Sequence, residues 1–407
     1  MNKGRPMREI FLRIPYRGSD PLLIQAPSHA MTSWKTDCRH FLGDRPCAPH
    51  KLTGVDCSEC RDDYDPIQTR MLIVKLAAMG DVLRTTSMLP AIRRRWPAAH
   101  ITWVTNSESV PLLENNPAID RILSFSAGAV PLEILSERYD VVVNPDAAPE
   151  SCALAHLARS GSRVGYAFDE RGVPVPLSDG ARHWMNLGLS DKRKRANKRT
   201  YQELMADVLE VDYRREPPVM DISHEDGEKG RALAEQHATS KHQLLVGLNT
   251  GAGGRWRFKR WTEKGYASLI KRLGESGHRV LLLGGPSEVE RNARLMRASH
   301  GIAVDSGGDN SLGTFAGLVE ACDVIVTGDT LAMHVAIARQ VPTVVLFGPT
   351  SLDEIDVFDR GERIAPELDC LGCYLTDCDV SPNCMESISV DRVYDAVIRN
   401  GSLTTAS

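Results

Sequence analysis

An apolar run, Val324–Thr327, stops at Gly328-Asp329-Thr330. A helical pattern carrying His334 follows, and a second apolar run, Thr343–Phe347, stops at Gly348-Pro349-Thr350. Two short buried strands joined through a helix are the grammar of a βαβ unit in a parallel sheet. In an open sheet of that kind, ligands bind just beyond the carboxyl ends of the strands, where helix N-termini point amides at anions. The segment therefore predicts a diphosphate-sized anion pocket. A second segment repeats the pattern: Met71–Leu76 is apolar, breaks at Ala77-Ala78-Met79-Gly80-Asp81, and becomes an amphipathic helix from about Val82 to Trp96. Asp81 is expected to cap that helix and to face the crevice at the strand end. A lone Asp there would read as a cap alone; its flanking sequence adds the second role.

The same alternation runs through two blocks. Strands are expected at Met71–Leu76, Ile101–Thr105, Arg121–Phe125 and Val141–Asn144, with helical patterns such as Val82–Trp96 and Ser107–Asn115 between them. The second block has strands at Leu244–Asn249, Val280–Leu283, Ala303–Asp305, Val324–Thr327 and Thr343–Phe347. Its helices fall near Glu263–Glu275, Glu288–Ala298 and Ser311–Ala321. A basic run, Asp191–Arg199, and Arg214–Pro218 mark the joint between them.

With 407 residues, the chain is long enough for two domains, and its 42% hydrophobic and 25% charged residues are ordinary for a globular protein. A net charge of −4 gives no global attraction to nucleic acid. No apolar run reaches the ~18 residues of a membrane span, and MNKGRPMREIFLRIPYRG lacks the apolar core of a signal peptide. The expectation is a cytoplasmic protein, with a peripheral position at the inner membrane and homo-oligomerisation left open.

LIVKLAAMGDVLRTTSMLPAIRRRWP, NTGAGGRWRFKRW, GGPSEVER and the Asp329 segment with FGPT occur in this order over roughly residues 70 to 395. In these motifs the chain resembles the heptosyltransferases of glycosyltransferase family nine, which add heptose from ADP-heptose to the lipopolysaccharide inner core. The resemblance implies an α/β fold of GT-B type, two Rossmann-like domains facing a cleft. The expected parts are an extension (1–69), an acceptor domain (70–215), a nucleotide-sugar domain (216–355) and a Cys-rich segment with a final helix (356–407).

Inverting glycosyl transfer needs a carboxylate within reach of the acceptor hydroxyl, and Asp81 matches the family's general base. The leaving nucleoside diphosphate needs cations or amides, and the resemblance implies no catalytic metal. Lys259 matches the family's phosphate-binding lysine. It follows Thr250-Gly251-Ala252-Gly253-Gly254, a Gly-rich turn that lets backbone amides approach phosphate; Thr250 and Gly251 are assigned to the donor. Elsewhere a Lys-Arg pair before a helix would be solvated surface. Glu288 lies where the family's ribose- or base-contacting glutamate sits, although a carboxylate at a helix start is also favoured by the macrodipole. Asp329 matches the donor-sugar contact, with Thr330 and His334 on the diphosphate side. The family pattern is Asp-Thr-Gly, whereas this chain has Asp329-Thr330-Leu331. Six positive charges in Asp191–Arg199 would ordinarily be a solvated surface. In the family this region faces an anionic acceptor, which assigns Lys194, Arg195 and Lys198, with Arg84, to acceptor binding.

Eight of the ten cysteines form two groups, Cys38, Cys47, Cys57 and Cys60, and Cys370, Cys373, Cys378 and Cys384. Each contains a Cys-x-x-Cys pair, half of a tetrahedral thiolate site, and a cytosolic setting disfavours structural disulfides. Cys152 and Cys322 read as core residues. The C-terminal group resembles the iron finger of the autotransporter heptosyltransferases. The N-terminal group has no counterpart in the lipopolysaccharide enzymes. Structural zinc or iron is expected, with an iron–sulfur cluster left open. His40 and His50 could each stand in for a thiolate of the first group.

The expected function is inverting transfer of heptose from ADP-heptose to a glycan or protein hydroxyl. Another GT-B sugar-nucleotide enzyme, such as an epimerase, would form product without an acceptor. A metal-ribbon nucleic-acid binder would bind salt-sensitively and survive Asp81→Ala.

Overall fold

The computed structural model describes residues 34–235, 244–254 and 257–403. The amino-terminal stretch read for a signal segment, and Arg255 and Trp256 of the Gly-rich motif, lie outside the described residues. Met1–Pro66 and Ile67–Ser407 are separate compact units.

In the first unit, a short helix, Ala48–Thr53, ends at Gly54, whose φ of 71° suits a left-handed cap. Cys38 bridges Pro66, and Arg39 Nε donates to Asp65 Oδ2 at 2.9 Å.

The second unit contains two six-stranded sheets. The first holds β1 (Thr69–Val74), β2 (Ala99–Thr105), β3 (Arg121–Ser124), β4 (Arg138–Asn144), β5 (Arg159–Phe168) and β6 (Pro174–Pro176), in the order 3-2-1-4-5-6. The second holds β7 (Leu245–Asn249), β8 (Arg279–Leu283), β9 (Ala303–Asp305), β10 (Val324–Gly328), β11 (Thr343–Leu346) and β12 (Gly361–Ile364), in the order 12-11-10-7-8-9. All pairs are parallel except β5 with the edge strand β6, whose terminal prolines could not serve a central strand. Counted from its own first strand, each sheet has the same order. β1 lies between β2 and β4, and β7 between β8 and β10, so each sheet opens a crevice where its order reverses. The fold is the expected pair of Rossmann-like domains.

Helix Glu263–Glu275 buries Tyr266, Leu269, Ile270 and Leu273, one face of a 3.6-residue period, and Thr262 caps it by accepting from the Gly265 N–H at 2.9 Å. It packs on the C-terminal helix Val390–Gly401, which buries Val393, Ala396, Val397 and Asn400 at the same spacing. Full burial of each Leu or Val is worth about 1.5–3 kcal/mol. Together with β12, this helix completes the second sheet's packing.

Departures from expectation trace to particular residues. The helix expected over Val82–Trp96 is three pieces, Met79–Thr85, a 3₁₀ turn at Thr86–Met88, and Leu89–Arg95, because Pro90 has no N–H to return to Thr86. Pro111 likewise holds Ser107–Leu112 in a 3₁₀ helix. Strand β5 begins Arg-Ser-Gly-Ser-Arg, largely exposed, before its buried Val-Gly-Tyr-Ala half, and β12 is Gly-Glu-Arg-Ile with one buried side chain, so neither stood out as a continuous apolar strand. No helix among the described residues is long and apolar enough to cross a membrane.

Candidate active site

Two cavities meet at the carboxyl ends of the strands. One, of about 420 Å³, is bordered by Asn249, Gly251–Gly253, Gly284–Pro286, Glu288, Asn310, Phe315 and the Thr330–Ala332 segment. The other, of about 570 Å³, is bordered by Asp81, Arg84, Trp184, Lys194, Lys259, Asp329, His334, Glu354 and Tyr374, and it too reaches Thr330 and Leu331. Asp81 from the first sheet domain and Asp329 from the second thus line one hollow. Their elements touch: helix Met79–Thr85 packs against helix Leu331–Ala338, and a Cβ on Gly80 would lie 2.6 Å from His334 Cδ2.

Asp81 is not the helix cap. Ala78 occupies the cap position in an extended conformation, and Asp81 sits in the first turn. The helix starts early enough that Gly80, without a side chain, is the residue beneath His334. Arg84 Nη2 lies 2.7 Å from Asp81 Oδ1, with its guanidinium 3.6 Å above the Tyr201 ring. Against the upward push of burial, Arg84 and then Lys75 hold the Asp81 carboxyl down at about 2. Lys75 is itself 3% exposed and paired with Asp146 at 2.6 Å.

Across the hollow, Lys259 Nζ lies 2.7 Å from Asp329 Oδ2 and also donates to the Asp329 carbonyl at 3.2 Å. Burial raises and Lys259 lowers the Asp329 carboxyl, and the net shift is downward. His334 is buried, and desolvation followed by the nearby Arg84 charge brings its pKa to about 4, so it is a neutral imidazole at physiological pH. The Thr330 hydroxyl shares a hydrogen-bond cluster with Thr327 at 3.0 Å and Asn249 Nδ2 at 3.3 Å.

Glu288 stands at the helix start and also borders a cavity. Its Oε2 accepts from the Gly285 N–H at 3.0 Å, and it borders the smaller cavity, where a Cβ on Gly251 would sit 2.6 Å from Glu288 Cδ. Thr250 is fully buried; its hydroxyl donates to Asn292 Oδ1 at 2.6 Å and its carbonyl accepts from Arg291, so the side chain does not border either cavity. Of the basic run, Lys194 borders the larger cavity. Arg195 and Lys198 do not: Arg195 is exposed, and Lys198 pairs with Asp353 at 2.8 Å. Sequence reasoning passed over Asn249, Lys75, Trp184, Glu354 and Tyr374. Asn249 ends the apolar strand β7 and Lys75 directly follows β1, which was the available signal; Trp184, Glu354 and Tyr374 carried none.

All eight clustered cysteines are free thiols. Cys370, Cys373, Cys378 and Cys384 border one small cavity of about 20 Å³ with Phe258 and Gly348. Four thiolates are a donor set suited to zinc or iron. Cys38, Cys47, Cys57 and Cys60 border a cavity of about 490 Å³ in the first unit, with His40 and His50, and the Lys35 N–H donates to Cys57 Sγ at 3.2 Å. Among the described residues, no three His, Cys, Asp or Glu side chains are grouped so that they could hold a metal ion. Cys152 and Cys322 are buried in the core.

The model of the family described as "Glycosyltransferase family 9 (heptosyltransferase)" matches residues 130–367. The chain is 25% identical over 313 residues to lipopolysaccharide heptosyltransferase 2 of Escherichia coli (strain K12), covering 70% of this chain and 84% of that protein. The crystal structure of a family 9 glycosyl transferase from Veillonella parvula superposes with a TM-score of 0.65 at 20% identity, covering 82% of this chain and 98% of that one. The dodecameric iron-containing heptosyltransferase TibC in complex with ADP-D-β-D-heptose superposes with a TM-score of 0.52 at 13% identity, covering 83% of this chain and 77% of that one. TibC comes from enterotoxigenic E. coli H10407.

Proposed function

Because the chain belongs to glycosyltransferase family 9 and is therefore a glycosyltransferase, we propose that it transfers heptose from ADP-heptose, with inversion, to a saccharide hydroxyl of lipopolysaccharide-core type. The observation that carries this reading is the single hollow bordered by Asp81 on one sheet domain and by Lys259 and Asp329 on the other. The acceptor hydroxyl gives its proton to the Asp81 carboxylate as its oxygen attacks the anomeric carbon from the face opposite the leaving group. The bond from that carbon to the diphosphate oxygen breaks. The charge that develops on ADP is met by Lys259 and by the N-terminus of helix Leu331–Ala338. The nucleoside occupies the smaller cavity among Asn249, Gly251 and Glu288.

A carboxylate held near 2 by Arg84 is a weak base. An anionic acceptor would draw Arg84 toward itself and strengthen Asp81 at the moment of attack. Arg84 and Lys194 are assigned to that anion. Cys370, Cys373, Cys378 and Cys384 would hold a structural zinc or iron, supported by their shared cavity and by the fold likeness to an iron-containing enzyme.

The test is ADP release from ADP-heptose with and without heptose-deficient lipopolysaccharide core or a protein acceptor. Asp81→Ala should lose transfer about 10²–10⁴-fold while still binding donor. Lys259→Ala should raise donor KM and lower kcat together. Acceptor-dependent turnover retained in Asp81→Ala would overturn the assignment of the base.

A further inference from the structure

One wall of the larger cavity is assembled from elements far apart in sequence. Tyr374 comes from the cysteine-rich loop, Glu354 from the segment after β11, and Lys194 from the basic helix Asp191–Ala196; all three border the cavity that holds Asp81. The Tyr374 hydroxyl donates to Glu354 Oε1 at 3.2 Å and accepts from the Ser351 N–H at 3.2 Å. Lys194 Nζ stands 4.1 Å from the Tyr374 ring centroid. Trp184, from the first sheet domain, borders the same hollow.

Tyr374 is also held in a strained backbone. Its φ is 57°, in the left-handed region that an aromatic residue rarely adopts, and its N–H is fixed to the Pro349 carbonyl at 2.7 Å. Strain of this kind persists where the surroundings over-determine the conformation, and it concentrates at functional sites. The arrangement offers a phenol, a carboxylate and an ammonium within reach of one another, facing an indole. That combination suits a saccharide: hydroxyls hydrogen-bond to the polar groups while a C–H face lies on an aromatic ring. Tyr374 and Glu354 border the Asp81 hollow and not the nucleotide cavity, and they stand beside Lys194, assigned above to the anionic acceptor, rather than beside Lys259, which pairs with Asp329.

We propose that Tyr374, with Glu354 and Trp184, forms the acceptor-saccharide subsite, and that Tyr374 is a positioning residue for the attacking hydroxyl. The assignment rests on the transfer reaction proposed above. Two measurements separate it from that reading. In steady-state transfer from ADP-heptose to heptose-deficient lipopolysaccharide core, Tyr374→Phe and Glu354→Gln should each raise acceptor KM roughly tenfold. Donor KM should move far less than acceptor KM. In calorimetry, which needs no turnover, the core oligosaccharide should bind wild type and lose roughly tenfold in affinity to Tyr374→Phe, a variant that keeps the ring and its packing. An equal rise in donor KM, or equal oligosaccharide affinity in wild type and Tyr374→Phe, overturns the subsite. Oligosaccharide binding that depends on Tyr374 in a protein that transfers no heptose supports the subsite and overturns the donor assignment instead.

Discussion

Arg84 and Asp81 are the pair on which the proposed chemistry turns. Arg84 is the largest of the charges that lower Asp81, so its removal lets burial push the carboxyl back up. The acidic limb of kcat/KM, which reports the free enzyme, should therefore lie below the accessible pH range in wild type. It should appear at higher pH in Arg84→Gln, and a pH–rate profile from pH 4 to 8 checks this. His334 works with the opposite charge. Its folded pKa of about 4 lies below the ordinary imidazole value of 6.5, so between those values the unfolded chain takes up a proton that the native site refuses. Stability should fall as pH drops from 6.5 toward 4, and the fall should be shallower in His334→Gln, as read by melting temperature across that range. Neither behaviour was legible in the sequence, because both depend on which charges face each other across a cleft. The identities were legible: Asp81, Lys259, Asp329 and His334 all sit one short turn beyond, or one helix turn after, an apolar run or a Gly-rich turn.

At the level of elements, apolar runs of four to six residues announced β1, β2, β4, β7, β8, β10 and β11, which are buried along most of their length. What escaped were elements whose pairing is decided by neighbours: β5, half exposed, and β12, a charged edge. Helix ends were misjudged where a proline or glycine altered the local rule, at Pro90, Pro111 and Gly80. Gly80 supports a direct test. Gly80→Ala places a methyl against the His334 ring and should cost transfer activity by forcing helices Met79–Thr85 and Leu331–Ala338 apart. In Gly80→Ala/His334→Ala the clash is gone, so the double variant should be no less active than His334→Ala alone. A double-mutant cycle on kcat/KM measures that coupling.

Over the whole molecule, the cysteine-rich loop brings Tyr374 to the border of the larger cavity and shares its own small cavity with Phe258, next to Lys259. Elemental analysis of the purified chain should find zinc or iron, and a chelator should lower the melting temperature by several degrees, as expected when a ligand of the folded state alone is withdrawn. Purified wild-type protein that contains neither metal, and whose melting temperature neither a chelator nor Cys370→Ser and Cys373→Ser lowers, would count against a bound ion. The contact of Gly80 with His334 also bears on motion. With no room for one more atom at that point, helices Met79–Thr85 and Leu331–Ala338 cannot draw nearer there unless the imidazole turns aside.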